Sequence, residues 1–481
     1  MKNRRRVILL ACAALLTFAC ASPALQHLEQ GDAYRDQAQW DEAIAEYGKA
    51  IEVDSNLAEA YGKRGYAYCN QGQWDLAIAD LNRAIDLDAN LAEAHKNRGW
   101  AYDGKGQWDL AIADLSKAIE LDANLAEAYY HRGVAYGYNG QWDLAIAELS
   151  KAIELHPDYA MAYNNRGYAH AEKEQWGQAI GDLSKAIELA PGLAVAYYNR
   201  GSIHNAQQQW DSAIADLDKS IEIDPSHAEA FDNRGWAYVN KGEWESAVED
   251  LSKAIELDPN LPAAYHHRGA VYNAMEQWDQ AIADFNRAIE LDPKLAEAYK
   301  DRAISYGWKG QLDLAIADLT KALQLDPNLA AAYYNRGSLY NARGQWDLAI
   351  ADLSRNIELA PGFAMAYNNR GYSYTNKEQW EMAIADYSEA IKLKPDYARA
   401  CYNRGVNYGE IAQWDLAIAD HTKVIELDPD FAPAYYNRGL AYKSVQQFDL
   451  AAADFERALE LSDDPSLIAH AEQELKQLGD R

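Results

Sequence analysis

Glycine stands at Gly31, Gly65, Gly99, Gly133, Gly167, Gly201, Gly235 and Gly269, then at Gly337, Gly371, Gly405 and Gly439, with Ala303 in the one remaining place. The interval is 34 residues throughout, with no insertion or deletion. No other feature constrains the fold as strongly. A unit of that size cannot hide its own apolar side, so each unit must stack on its neighbours, and the array is held by contacts between adjacent units. A chain of 481 residues would otherwise divide into several globular domains. The strict period replaces that expectation with a single kind of element, repeated.

Numbered from Ala24, the glycine is position eight of the unit. In the copy that runs from Ala126 to Tyr159, the spacing predicts a first helix over Ala126–Tyr138. Ala128, Arg132 and Tyr136, at positions three, seven and eleven, share one face of it. Gly140 suits a left-handed stop. A second helix is expected over Asp143–Glu154, with Asp143 in its first turn, where negative charge favours the free N–H groups. Its apolar residues are Leu144, Ala145, Ile146, Leu149, Ala152 and Ile153. Pro157 is expected to stop it, and nine copies carry Pro at that position.

This unit resembles the tetratricopeptide repeat, a helix–turn–helix of 34 residues. The second copy shows the pattern: Tyr61, Gly65, Tyr68, Ala77, Leu81 and Ala84 occupy the family's signature positions, while Ala89 stands where the family has Pro. The resemblance covers residues 24–465 as thirteen repeats. It implies an all-α fold, a right-handed superhelical α-solenoid with a concave groove. Residues 466–481 follow as a capping helix, with Leu467, Ile468, Ala471, Leu475 and Leu478 on one side.

Two recurrent residues ask for a structural reason. Trp occupies position seventeen in eleven copies, from Trp40 to Trp414, with Leu312 and Phe448 as substitutes. Apolar replacement suits a residue that closes the junction between helices. Arg occupies position seven in every copy after the first and is never Lys, while position twenty-three is always Asp or Glu. That restriction predicts a planar guanidinium fork on a carboxylate, linking two helices of one unit or of neighbouring units.

Positions two, five, six, nine, twelve and thirteen vary between copies. In the family this stripe lines the groove, and the resemblance implies the same here. Position five carries Tyr130, Tyr198, Tyr334, Tyr402 and Tyr436. Position six carries Asn97, Asn165, Asn199, Asn233, Asn335, Asn369, Asn403 and Asn437. Rings bury area at low entropic cost, and amides both donate and accept, so proteins or extended peptides are the expected partners. The competing reading is that the regular Asn serves the fold by bonding to the next repeat. The family's clamp for a C-terminal carboxylate needs Lys at position five with Asn at position nine of one repeat; position nine is never Asn.

The formal charge of −29 argues against nucleic acid, whose binding requires Lys and Arg on phosphates. No phosphate loop, nucleophile–base pattern or metal-ligand spacing is found, so neither enzyme activity nor a cofactor is expected. Self-association as a structural protein and envelope glycan binding remain as alternatives. Residues 1–19 begin with Lys2, Arg4, Arg5 and Arg6 and continue into an apolar run, as a secretory signal does. The stretch LTFAC resembles a bacterial lipoprotein cleavage box, with Cys20 as the lipidated residue, although Thr17 and Phe18 depart from its usual form; cleavage after Ala21 is the other reading. Residues 20–23 would then be a short tether. An exported, membrane-anchored lipoprotein facing the periplasm is expected, touching the membrane only through that lipid. The oligomeric state is left open. Cys69 and Cys401 read as packing residues.

Overall fold

The computed structural model describes residues 22–479, which form 27 helices and no strand. The chain is all-α, as the period predicts. It divides into two units, Met1–Glu243 and Trp244–Arg481, each a solenoid of helix–turn–helix pairs. In the first unit, pairs run from Pro23–Arg35 with Trp40–Val53 to Ala194–Ala206 with Trp210–Ile223, followed by Ala228–Lys241. The second unit opens on Trp244–Leu257. Its pairs run from Pro262–Ala274 with Trp278–Leu291 to Ala432–Ser444 with Phe448–Leu461, and it closes on Pro465–Gly479. The expected export signal and Cys20 lie outside the described residues. Pro23, expected in the tether, is already helical, and the Ser22 hydroxyl caps that helix by accepting from the Leu25 N–H.

The core is one contact repeated. Position twenty-four supplies the largest fully buried side chains, among them Tyr47, Leu81, Leu115, Phe285, Leu353 and Phe455. Each lies directly on glycine eight of its own repeat. A Cβ on Gly65 would sit 2.6 Å from Leu81 Cγ, and one on Gly269 would sit 2.8 Å from Phe285 Cε1. The glycine therefore brings the two helices close enough for alanines such as Ala60, Ala77 and Ala84 to be fully excluded from water.

Helix ends differ in detail from the sequence reading. The second helix of the fourth repeat spans Trp142–Leu155, one residue longer at each end than expected. Proline is not the only stop. Ala89 and Ala123 hold the proline position in the second and third repeats, yet those helices still end at Leu87 and Leu121. There the preceding aspartate folds back: Asp88 and Asp122 accept from the N–H of Asn90 and Asn124, at 3.0 and 2.9 Å. Between the helices, position fifteen is left-handed in every repeat, whether it is Gly140 (φ 69°) or Glu174 (φ 56°).

Tryptophan seventeen is the first residue of the second helix and is half-buried, not part of the sealed core. It does more than close its own repeat, since its ring also reaches the next one. Trp40 meets Tyr66 at 6.1 Å between centroids, and Trp142 meets Tyr168 at 6.0 Å. Trp74 packs where Gly104 leaves room.

The arginine fork has the expected carboxylate and a further partner. Arg200 Nε and Nη2 donate to the two oxygens of Asp216, at 2.8 and 2.7 Å, joining the helices of one repeat. Arg200 Nη1 donates to the Ser184 hydroxyl of the preceding repeat at 2.9 Å. Ser184 in turn donates to the Ile180 carbonyl. The same triple arrangement holds for Arg166, Arg268, Arg336, Arg370, Arg404 and Arg438, with Ser or Thr as third partner. Asp386 shows what opposes the pairing: burial raises its pKa although Arg370 works the other way. Orientation, more than net attraction, is what such a half-buried pair supplies.

A second ladder joins first helices. At position twelve, Asn205, Asn273 and Asn341 donate to the backbone carbonyls of Asn233, Asp301 and Asn369 in the next repeat, at 2.8, 3.1 and 2.9 Å. The Cys69 thiol points the same way, to the Asn97 carbonyl at 3.6 Å. Burial pushes this thiol up to about 12, which removes it from thiolate chemistry. Asp103 occupies the same position without a hydrogen to give. It is buried, neither carboxylate oxygen has a hydrogen-bond partner among the described residues, and His131 Nδ1 stands 3.6 Å away.

Two outcomes are expected. Arg200→Lys keeps the charge but loses the fork and the link to Ser184. It should lower the unfolding free energy by about 1–3 kcal/mol, and an unchanged denaturant midpoint would rule out an orienting role. Burial raises the Asp103 pKa, and His131 only partly opposes this. The folded state therefore holds this proton more tightly than the unfolded chain. The contribution favours folding at low pH and is lost as pH rises through the folded-state value. Asp103→Asn supplies the missing donor, so it should stabilise at neutral pH by about 1–3 kcal/mol, with the gain shrinking on acidification. A gain independent of pH would refute the protonation argument.

Candidate functional site

Within each unit the first helices of consecutive repeats pack on one another, whereas second helices do not. The first helices therefore form the tighter, inner side, and positions two, five, six, nine, twelve and thirteen lie along it.

The Tyr and Asn residues predicted as binding groups are half-buried there and largely bond to each other. Asn165 Nδ2 donates to the Tyr130 hydroxyl at 3.1 Å, Asn233 to Tyr198 at 3.2 Å, and Asn437 to Tyr402 at 3.0 Å. Asn369 donates to Tyr334 at 3.4 Å and to the Ser338 hydroxyl at 3.1 Å. Where position five is itself Asn, the ladder continues: Asn199 donates to Asn164 Oδ1 at 3.0 Å, and Asn403 to Asn368 Oδ1 at 3.2 Å. Position six thus bonds to position five of the preceding repeat. Asn335 and Tyr436 differ. Asn335 follows Lys300 and makes no such bond, and Tyr436 lies against Phe455 and His470 of the last helix.

This pairing decides which atoms remain for a guest. The Asn Nδ2 groups are held by neighbours. Asn165 and Asn369 also have their Oδ1 engaged, by Asn164 and Asn368. No described residue donates to the Oδ1 of Asn199, Asn233, Asn403 or Asn437. Each unit consequently presents a pair of carbonyl acceptors in adjacent repeats, Asn199 with Asn233 in the first and Asn403 with Asn437 in the second, a chemistry suited to N–H donors.

The charge on this face is local and mostly neutralised. In the early repeats Lys96, 6% exposed, lies between Glu93 and Glu127 at 2.6 and 2.5 Å. Burial works against its charge, but the two carboxylates outweigh it and the pKa is raised. Lys63 is held likewise by Asp32 and Glu59. These groups and Tyr66 border a cavity of about 430 Å³.

Three features of the face escaped the sequence reading. Position nine meets the tryptophan of the preceding repeat, so Tyr66 and Trp100 both lie edge-on to one. Position thirteen places two aromatic rings flat on such a tryptophan and open to solvent: Tyr138 on Trp108 (4.4 Å, 7°) and Trp308 on Trp278 (5.7 Å, 10°). Glycine at position twelve, Gly137 and Gly409, opens cavities of about 360 and 510 Å³ beside the tryptophans. The usable signal was a glycine in a stripe that otherwise carries side chains. Among the described residues no group of three or more His, Cys, Asp or Glu is placed to hold a metal, and no helix is long and apolar enough to cross a membrane. His266 bonds Asp301 at 2.9 Å and so serves the junction to the next repeat.

Comparison with known proteins agrees with this architecture. Family models described as TPR repeat match residues 31–72, 65–104, 104–140, 138–174, 235–275 and 308–342. Models described as tetratricopeptide repeat match 194–227, 262–295, 330–363, 364–397 and 432–465. Among solved structures, a chain of the APC/C hetero-tetramer Cut9–Hcn1 aligns over 96% of this chain and 98% of its own, with a TM-score of 0.52 and 18% identity, a likeness of fold. YrrB, a TPR protein with an unusual peptide-binding site, aligns over 39% of this chain and 97% of its own (TM-score 0.36, 25% identity). MamA aligns over 34% and 90% (TM-score 0.33, 32% identity). No curated protein matches the sequence. The repeats matched along the sequence, the paired helices and the glycine–core contact that sets their spacing lead to one conclusion: this chain belongs to the tetratricopeptide repeat family.

Proposed function

We propose that the protein is a non-enzymatic interaction scaffold of the bacterial cell envelope, and that its inner face holds an extended peptide or an extended segment of a partner protein. A tetratricopeptide repeat scaffold serves protein–protein association in general. The observation that supports the finer reading is the pair of free carbonyl acceptors in adjacent repeats of each unit, Asn199 with Asn233 and Asn403 with Asn437. An extended peptide offers regularly spaced N–H donors, and many weak contacts act together when their spacing matches one guest. The exposed faces of Tyr138 and Trp308 favour a second reading, stacking of a glycan ring. The net charge of −29 selects against polyanionic partners in either case.

A photo-reactive amino acid placed at Asn335 in the native host should capture a partner protein, and one placed at Lys185 on the second-helix side should not. Combining Tyr334→Ala with Asn335→Ala should reduce co-purified partner about tenfold, as expected for lost hydrogen bonds and aromatic area. Equal capture from both positions, or loss of polysaccharide retention in place of protein, would reject the peptide reading. We place the protein at the membrane through Cys20. The mass of the mature N-terminus should then correspond to an acylated chain beginning at Cys20, and an unmodified chain beginning at Ser22 would exclude the anchor.

A further inference from the structure

Gly137 is required neither by its backbone nor by its packing. It lies in the last turn of the helix Ala126–Tyr138, outside the left-handed region, and a Cβ there would come no closer than 3.4 Å, to Trp142 Cζ3. Gly104, by contrast, is required, since a Cβ on it would sit 2.6 Å from Trp74 Cε2. Ala171 holds the position of Gly137 one repeat later, so alanine fits there. Glycine in a helix gives up stability relative to alanine, and here no close approach offsets the loss.

What Gly137 leaves is the cavity of about 360 Å³ between the fourth and fifth repeats. Two small residues face each other across that junction, Gly137 and Ala169. At Gly307 the opposite residue is Leu339, whose Cδ2 comes to 3.9 Å of the corresponding point. The walls at Gly137 are Val134, Trp142, Ala145, Leu149 and Tyr168, and no charged side chain lines the space. Its one side-chain amide, Asn165, is engaged at both atoms: Nδ2 donates to the Tyr130 hydroxyl, and Oδ1 accepts from Asn164. Charged groups stand outside. Asp143 and Lys173 pair with each other around a separate hollow that shares Trp142, and Glu172 lines the cavity of the next junction. That next cavity, about 220 Å³, shares Tyr168 with the first and is lined by Asn199, whose carbonyl is open.

We propose that the cavity at Gly137 is an anchor subsite for an uncharged apolar side chain of the extended guest whose backbone N–H groups reach Asn199 and Asn233. This rests on the peptide reading of the inner face. Packed helices lie roughly 8–10 Å apart, which is about three residues of extended chain, so one short segment meets the cavity and then the acceptors. A closed cavity of about 150 Å³ already holds benzene, so a side chain the size of leucine or phenylalanine fits this one. An ammonium or carboxylate group would lose its water on entry and find no opposite charge on the walls.

The test uses the full chain with ¹⁵N-labelled tryptophan and reads the Trp142 indole resonance, located with Trp142→Phe. Toluene, benzylammonium and benzoate are titrated as side-chain probes. Toluene should shift the resonance to saturation, and each ion should bind at least about tenfold more weakly, the least that an unpaired charge would cost. Ala169→Leu, which copies the arrangement at Leu339, should abolish the toluene shift, and so should Gly137→Leu; the two fill the space from opposite sides, so a packing fault in one leaves the other as the test. Gly137→Ala should unfold at no lower temperature than the parent chain. No saturable shift at Trp142, binding of either ion as tight as toluene, or a toluene shift that survives both leucine variants would overturn the subsite. A lower midpoint for Gly137→Ala would also overturn it, by returning the glycine to the fold. These readings need no partner, so a toluene site without partner capture at Asn335 would count against the peptide reading alone, and capture with a silent Trp142 would count against the subsite alone.

Discussion

The whole architecture depends on how closely two helices approach at one point. Glycine at position eight allows the side chain at position twenty-four to rest on bare backbone, with Leu81 2.6 Å from where a Cβ on Gly65 would be. That approach is what makes the neighbouring alanines sufficient. Side chains as small as Ala60, Ala77 and Ala84 fill the space only because the helices are already close. A larger residue at position eight would separate the helices and leave a line of underpacked alanines. The one substitute, Ala303, is the smallest that could be made, and it is buried at 2% above Leu319.

With that spacing fixed, polar groups determine how repeats are oriented. The arginine fork acts at two levels, on Asp or Glu within the repeat and on a hydroxyl or amide of the repeat before it. On the inner face, position twelve reaches a backbone carbonyl of the next repeat, and position six reaches position five of the preceding one. Three separate hydrogen-bond systems therefore define one junction, and two of them lie on the surface available to a guest. The same residues give the solenoid its geometry and form the lining of its groove, which is why so many of the varied residues there are not free.

This also explains what could be read in the sequence and what could not. The period, the helix pairs and the carboxylate partner of Arg200 were legible because they depend on residues that recur at fixed spacing. The third partner, Ser184, was not, since its position also holds Thr, Asn, Asp and Gly and resembles a solvated face. The stop at Leu87 needed the side chain of Asp88, which pattern reading credits to a proline that is absent there. At the candidate site, Asn165, Asn199, Asn233, Asn369, Asn403 and Asn437 were recognised as a class. Bonding to an adjacent repeat, the competing reading of this Asn, describes most of them; the partner, position five of the preceding repeat, was not legible, because a 35-residue separation is closed only by the stacking of first helices. Cavities at Gly137 and Gly409 are the hardest case, because the feature is a missing side chain and the sequence shows only its label.

Selectivity in a repeat array must come from departures, since identical units present identical surfaces. The departures here are few and have distinct physical signatures. Asp103 replaces a donor by a buried carboxylate whose pKa burial raises, where the corresponding Asn residues donate to the next repeat. Lys96, like Lys63 and Lys300, places a cation beside two acids on a face that in other repeats is aromatic and amide. His421 exchanges a sealed apolar contact for an unpaired nitrogen next to an open cavity. Each lowers the regularity that stabilises the array, and none is required by the contact between glycine eight and position twenty-four. On the proposed scaffold reading, residues that depart from the repeat without serving its packing are where selectivity is expected to reside.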